Sequence, residues 1–488
     1  MSMSRVAEDA GVVPAPPPLR RNRDFMLLWS GSAVAIIGST ASTVAYPLLV
    51  LAVTGSPSAA GVVGFVVLLP ALLFQLPAGV LVDSWNRRRV MIWCDGLRAA
   101  GAATVVLALL AGELRLAHVM VVGFVEGTLT VLNGLASTAA VPNVVHRSQL
   151  SAALAGNEAR GRAATMIGTP LGGILFGLGR AVPFVLETLA YLVSLATLLG
   201  IRKEFQAARP GEPAPAGNGP GGDAATGSRR DRALRQAGRM AEGLTWLWRR
   251  PLLRTTALLV AGSNLLFRAL FLVMIVLLAE EGAGPAAIGL LIGVAGGCGM
   301  LGSLVAGWFG RTLRLNALVI GANWVWALLM CVLAFSGGLW PAAIAYTAMW
   351  FVGPIWNVAV GSYQLTVTPD DLRGRVLSAS SLLANGALPL GALVGGLLLD
   401  AFGVRAAATV LAGWMVLMAL AATLARPVRR ATMTAINDPA GPAPAEWGGG
   451  GAAGPGPRAG GGGGPRGGGG GGAGGGRGAG GGAGGAGG

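Results

Sequence analysis

Gly79-Val80-Leu81-Val82-Asp83-Ser84-Trp85-Asn86-Arg87-Arg88 is the stretch on which the reading of this sequence turns. The residues before it, 61–82, and after it, 90–111, are apolar runs. Each is long enough for the ~20 residues that cross a bilayer as a helix. A carboxylate and two arginines at such a junction read as the water-facing turn between two consecutive spans. Open sheets cannot cross lipid with unpaired backbone groups, so the runs are read as helices.

Working outward, apolar runs of this length recur twelve times, from 25–53 at one end to 404–425 at the other. Composition agrees. Of 488 residues, 53% are hydrophobic and 12% charged, and the mean hydropathy is +0.63. Soluble domains carry about 25% charged residues, so a soluble enzyme is excluded. The formal charge of +15 would fit a nucleic-acid surface only if the arginines faced one patch of water. They do not. With a cytoplasmic N-terminus, 31 of the 36 basic residues fall in cytoplasmic segments. Only Arg115, Arg180 and Arg405 fall outside, and Arg98 and Arg268 lie within spans. The positive-inside rule therefore places both termini of this multi-pass chain in the cytoplasm of a plasma or inner-membrane protein.

The division is into a polar segment 1–24, a six-helix half 25–201, a cytoplasmic linker 202–251, a second half 252–425 and a Gly-rich tail 426–488. The tail from 448 holds 28 of the 81 glycines and reads as disordered. Within the linker, Asp231 to Arg250 mixes arginine with Leu244, Trp246, Leu247 and Trp248, the pattern of an amphipathic helix on an anionic leaflet. The halves echo one another. Gly79 to Arg88 resembles Gly302 to Arg311, with Asp83 replaced by Ala306, and Gly168-Thr169-Pro170-Leu171-Gly172-Gly173 resembles Pro389-Leu390-Gly391 with Gly395-Gly396. Parallel repeats with a site between them are one solution to transport.

Gly79-x-Leu81-x-Asp83-x-x-x-Arg87-Arg88 resembles the loop motif of the major facilitator superfamily. Asn22-Arg23-Asp24-Phe25, Leu76-Pro77-Ala78-Gly79, Asp95-x-x-Arg98-Ala99 and Gly168-x-Pro170-Leu171-Gly172-Gly173 are similar to the drug:proton antiporter branch that contains macrolide-efflux and enterobactin-type siderophore exporters. The resemblance implies twelve helices in two pseudo-symmetric halves and outward, proton-driven movement of a small amphipathic compound. It also marks the kinked fifth span as an antiporter feature. Asn86 stands where the family has glycine, Thr169 where proline is common, and the fourth span reads Gly123-Phe124-Val125-Glu126-Gly127 without the arginine of many proton antiporters.

Several residues are candidates for the chemistry. Asp83 with Arg87 and Arg88 reads as a conformational latch, in which a carboxylate at a helix end pairs in one state and parts in the other. Plain positive-inside charge is the alternative. Asp95 and Arg98, three residues apart on one helix face, can pair; a structural ion pair and a coupling relay are both open. Glu126 lies near mid-bilayer, where an ionisable group is a functional candidate by default, and binds a proton or substrate or pairs with Arg98 or Arg268. Arg268, one turn after Asn264, faces a polar or anionic substrate or Glu126. Glu187 falls close to the outer surface and reads as a gate or solvated residue. Asn133, Asn323, Asn357, Gln364 and Asn385 are candidate cavity polar groups, with Trp350 and Trp356 as mid-span aromatics. Gly168, Pro170, Gly172 and Gly173 allow a kink and close helix approach.

Cys94, Cys298, Cys331, His118 and His146 stand singly, without metal-ligand spacing. No nucleotide-binding or catalytic motif appears. The expectation is a monomeric secondary transporter working by alternating access, with no cofactor, metal or nucleic-acid partner and no enzymatic activity. Its partners are a small molecule, protons and the bilayer. An importer and a non-transporting sensor or scaffold are the alternatives.

Overall fold

The computed structural model describes residues 18–201, 205, 238 and 241–429, apart from the side chains at 76, 80, 83, 84, 370 and 371. The first six helices are α1 (Arg23–Thr54), α2 (Pro57–Ser84), α3 (Arg87–Leu110), α4 (Leu116–Val144), α5 (Leu150–Leu178) and α6 (Val182–Gly200). Then come α7 (Pro251–Glu280), α8 (Pro285–Thr312), α9 (Leu315–Phe335) and α10 (Leu339–Val367). A continuous helix, Asp370–Leu424, is broken only at Gly403, whose φ of 76° and ψ of 173° turn the chain back. Its arms are α11 (370–402) and α12 (404–424). No strand occurs among the described residues.

Local chemistry sets the ends. Asn22 and Ser56 accept from the backbone N–H groups of Phe25 and Ala59, and Asn86 caps α3 by accepting from Arg89 N–H. These are the side chains that best satisfy the orphan donors of a first turn. Pro57, Pro251 and Pro285 open their helices, where proline loses no needed donor. The turn before Pro57 needs Gly55 at φ 66°, which only glycine adopts freely.

Ten helices are long and apolar enough to cross a membrane, with the two arms at the end of the bundle counted as one. The helix α5 falls short because Glu158, Arg160 and Arg162 occupy its first half. With both arms and α5 the described bundle has twelve long helices, in two halves of six.

The halves repeat one packing scheme. In the first, α1 packs on α5 and α6, α2 on α4, and α3 on α4 and α6; in the second, α7 packs on α11 and α12, α8 on α10, and α9 on α10 and α12. Glycine makes the equivalent contacts. A methyl group on Gly168 would sit 2.6 Å from the Ile37 carbonyl on α1, and one on Gly172 would overlap that of Ala41. Their counterparts Gly391 and Gly395 meet Leu265 and Ala269 on α7 in the same way.

Between the halves the same economy applies. A methyl group on Gly173 of α5 would overlap the Cα of Gly289 on α8. A methyl group on Gly61 of α2 would lie 2.8 Å from the Cα of Gly396 on α11. Only residues without a Cβ let backbones approach this closely. All four glycines lie toward the end of the bundle away from the arginines. There the halves touch, and toward the arginine-rich end the space between them reaches Glu158, Arg162 and Ser303.

This geometry corrects the register of the first internal echo. The helices α2 and α8 both have 28 residues and both begin with proline, and Gly61 and Gly289 make matching contacts. Gly79 therefore corresponds to Gly307 and Asp83 to Arg311, not to Gly302 and Ala306. Gly302 instead packs on the Phe351 backbone of α10. Local similarity of Leu-Val and Trp outweighed helix length in the sequence comparison.

Most of the linker and all of 430–488 lie outside the described residues. The described linker residues 241–249 are helical, and part of their apolar side is turned to the protein. Leu247 is buried with Leu253, Ala257 and Val376, and Arg375 pairs with Glu242 at 2.6 Å. Leu244 and Trp248, one helical turn apart, remain exposed.

Candidate functional site

A cavity of about 640 Å³ lies between the halves, walled by α1 and α5 on one side and α7, α8 and α10 on the other. It extends toward the arginine-rich end as far as Glu158, Arg162 and Ser303. Its walls are largely apolar, and Trp350, 39% exposed, offers an aromatic face. Arg268 is the cation at its inner end. The Arg268 guanidinium sits 5.0 Å from the Phe271 ring centre and makes no ion pair among the described residues. A second cavity of about 90 Å³ shares Thr43, Arg268 and Phe271 with the first and adds Tyr46 and Glu126. Glu126 and Arg268 thus line one small space that adjoins the large one.

Behind Glu126 is a cluster of buried polar groups from α1, α3, α4 and α6. Tyr46 donates to Glu126 Oε2 at 3.0 Å and Tyr191 to Glu126 Oε1 at 3.0 Å. The Tyr191 hydroxyl also lies 3.2 Å from Glu187 Oε1 and accepts from Arg98 Nη2 at 2.5 Å. Arg98 packs over the Tyr191 ring, 4.0 Å from its centre. Asp95 accepts from Asn133 Nδ2 and from Ser194 Oγ, both at 2.6 Å, and lies 3.6 Å from Arg98 Nη1. Asp95 and Glu187 are 1% and 0% exposed.

The structure thus gathers Glu126, Asp95, Arg98 and Asn133 into one network and sets Arg268 and Trp350 beside it. It separates the rest. Trp356 is buried in the core against Trp326, with ring centres 5.5 Å apart, and lines neither of these two cavities. Asn264 donates to the Ala384 carbonyl at 2.8 Å and ties α7 to α11. Asn323 is fully buried on α9 and donates within its own helix. Asn357 and Gln364 line a different cavity, of about 240 Å³, near the arginine-rich end. Asn385 is exposed and bonds Ser381.

The expected latch residues lie at the end of α2 and the start of α3. Gly79 is part of α2, and the Asp83 side chain lies outside the described residues. Arg88 donates to the carbonyls of Leu198 and Leu199, and Arg87 to that of Ala139. The Arg88 contacts satisfy the last carbonyls of α6, where a cation is also favoured by the helix dipole. They tie helices together within one half. In α5, Gly168 and Gly172 seat α1, Gly173 seats α8, and Pro170 packs on Gly293 of α8.

Glu187 is corrected. It lies in the network, not near solvent, because Gly38 lets α6 approach α1 there and Phe184 packs edge-on to Tyr46 above it, with ring centres 5.1 Å apart. Tyr46 and Tyr191 escaped the sequence reading too. Glu187 and Tyr191 are one turn apart on α6, the spacing at which helix side chains meet, and that was the available signal.

The family model described as "Transmembrane secretion effector" matches residues 15–444. The chain is 27% identical over 409 residues to the multidrug efflux pump Tap of Mycolicibacterium fortuitum, covering 82% of this chain and 94% of that protein. It is 30% identical over 127 residues to macrolide efflux protein A of Streptococcus pyogenes, covering 26% of this chain and 31% of that protein. Among solved structures, the nucleoside transporter NupG aligns with a TM-score of 0.62 at 11% identity, over 82% of this chain and 98% of that one. A bacterial homologue of the iron transporter ferroportin, in an inward-facing state, aligns with a TM-score of 0.61 at 17% identity, over 85% of this chain and 100% of that one. At these identities the structural likeness concerns the fold alone.

Proposed function

The chain belongs to the transmembrane secretion effector family of membrane transporters, and on that premise we propose that it exports small amphipathic compounds in exchange for protons. The positive-inside rule assigns the arginine-rich end, with both termini, to the cytoplasm. The central cavity then opens inward, and the glycine contacts close the outer face. Rocking of the halves about the cavity would expose it alternately to each side.

The observation that carries proton coupling is Glu126. Three carboxyl groups, Asp95, Glu126 and Glu187, share the cluster with one arginine, Arg98. An unpaired ion in such surroundings costs several kcal/mol, so the cluster is electrically balanced only when it holds protons. Glu126 alone among the three lines a cavity, so it is the carboxyl that exchanges protons with water and senses a bound compound. The apolar walls with Trp350, Phe271 and Arg268 suit an amphipathic molecule with a polar group. The efflux-pump relatives support drugs or macrolides as the compounds carried; a siderophore rests on the sequence resemblance alone.

The test is uptake of the dye Hoechst 33342 by inverted vesicles under an imposed pH gradient. Wild-type protein should concentrate the dye. Glu126→Gln should reduce pH-driven uptake to the level of vesicles lacking the protein, while dye still binds. Full pH-driven uptake by the Gln variant would remove the coupling assignment, and an inert wild type across a panel of dyes and macrolides would remove the export reading.

A further inference from the structure

Among the described carboxyl groups of the first half Glu187 is the most deeply buried, and nothing described so far gives it a task. It is 0% exposed, and its Oε2 finds no donor in hydrogen-bond geometry. Its Oε1 faces the Tyr191 hydroxyl, and Ser42 and the Glu126 carboxyl lie beside the group. That hydroxyl has one proton, and Glu126 Oε1 lies nearer to it, at 3.0 Å against 3.2 Å. The groups around Glu187 supply no cation of its own. The helix α1 presents Tyr46 and Ser42, α3 presents Arg98 and Asp95, α4 presents Glu126, and α6 presents Tyr191. Arg98 is already matched by Asp95, which holds two further donors, from Asn133 and Ser194, and is satisfied as an anion.

A bare carboxylate with an unmet oxygen in a dry site is the most expensive arrangement available to this residue. A neutral acid removes that penalty, because a protonated carboxyl becomes a donor, and the Glu126 carboxyl is within its reach. We propose that Glu187 is a proton store for the transport cycle, holding the proton on a carboxyl that no cavity reaches, with Glu126 as its port to water and the Tyr191 hydroxyl as the connection. This rests on the reading of Glu126 as the exchanging carboxyl. In the transfer, the O–H bond of Glu187 breaks as its proton passes to the Tyr191 oxygen. The Tyr191 proton passes in the same step to Glu126 Oε1. Glu187 is left as the anion, Glu126 as the acid, and Tyr191 unchanged. The Arg98 guanidinium, donating to the same hydroxyl, steadies the oxygen while its proton is in flight.

The test is infrared spectroscopy of the purified, full-length protein near neutral pH, with glutamate carbon-13 labelled so that protonated Glu carboxyls are identified by their shifted band. Wild-type protein should show such a band. Glu187→Gln should lose it, and Glu126→Gln should keep it, shifted because its hydrogen-bond partner has become an amide. Loss of the band in Glu126→Gln with retention in Glu187→Gln would overturn the inference, as would its absence from wild type. Tyr191→Phe provides a second variant with both carboxyls intact: the band should persist while pH-driven Hoechst 33342 uptake slows and dye exchange between the two sides continues. Unslowed pH-driven uptake in Tyr191→Phe would remove the hydroxyl from the route. The band reports the proton whether or not a given dye is carried, so failure of the export reading leaves this result interpretable.

Discussion

Gly173→Val is expected to abolish net transport while leaving a folded protein in the membrane. The Cβ would overlap Gly289 Cα, and the next nearest atoms, Gly289 N and the Pro285 carbonyl, are backbone and cannot rotate away. The helices must separate, and forced overpacking of this kind costs about 1–3 kcal/mol. The penalty falls on the arrangement in which the halves touch at this end, and is absent from one in which they have parted. At 1.4 kcal/mol per factor of ten, the equilibrium between the two shifts by roughly fivefold to a hundredfold. Gly289→Val should act alike, and so should Gly61→Val at the related contact with Gly396. Gly177→Ala is the control, since its new methyl would meet Ala286 at an ordinary 3.4 Å. The measurement is thiol labelling of a cysteine placed at Met166, on the cavity wall, by a membrane-impermeant reagent applied from outside. Labelling should rise and dye export fall for Gly173→Val. Unchanged export at equal abundance would show that the contact is not a gate.

Arg98→Met is expected to be the most destabilising single change in the first half. It removes the cation from a site containing Asp95, Glu126 and Glu187 and leaves the Tyr191 hydroxyl without its donor. Breaking a buried pair by deleting one member typically costs 3–5 kcal/mol, because an uncompensated charge stays behind. That is a large share of a stability on the order of 5–15 kcal/mol. The yield of monodisperse protein in detergent and its unfolding temperature should both drop sharply. Adding Asp95→Asn should recover part of the loss, because the amide removes the stranded charge. A double variant as unstable as the single would indicate that Arg98 acts through Tyr191 and Glu126 and not through Asp95.

The bundle was legible in the sequence for a physical reason: lipid imposes its thickness on every span, and arginine is held to one face. Those two rules gave the helices and their order. Depth was less reliable. Counting along α6 put Glu187 near the surface, since it follows the start at Val182 closely, but burial depends on what packs alongside, and Gly38 and Phe184 are distant in sequence. Trp356 failed for a related reason. A helix apolar on all sides has no amphipathic stripe to say which face meets the cavity, so Trp350 and Trp356 looked equivalent, and only the packing of α10 against α8 and α9 separates them. Glu126, Asp95 and Arg98 were readable singly because charge in an apolar run stands out. Their meeting through Tyr191 was not, because a tyrosine in a span is unremarkable until its partners are known.

The meeting of the halves through bare backbone has an evolutionary consequence. Gly61, Gly173, Gly289 and Gly396 meet where the halves touch, and none of them lines the central cavity, so in the proposed cycle these closest contacts and most of the recognition surface are encoded at different positions. Side chains on the cavity wall other than at Gly293, which packs on Pro170 of the other half, can be exchanged for larger, smaller or more polar ones while those four contacts stay in place. A lineage with this architecture can therefore change what it carries by a few substitutions around Trp350 and Met300 while inheriting an unaltered machine.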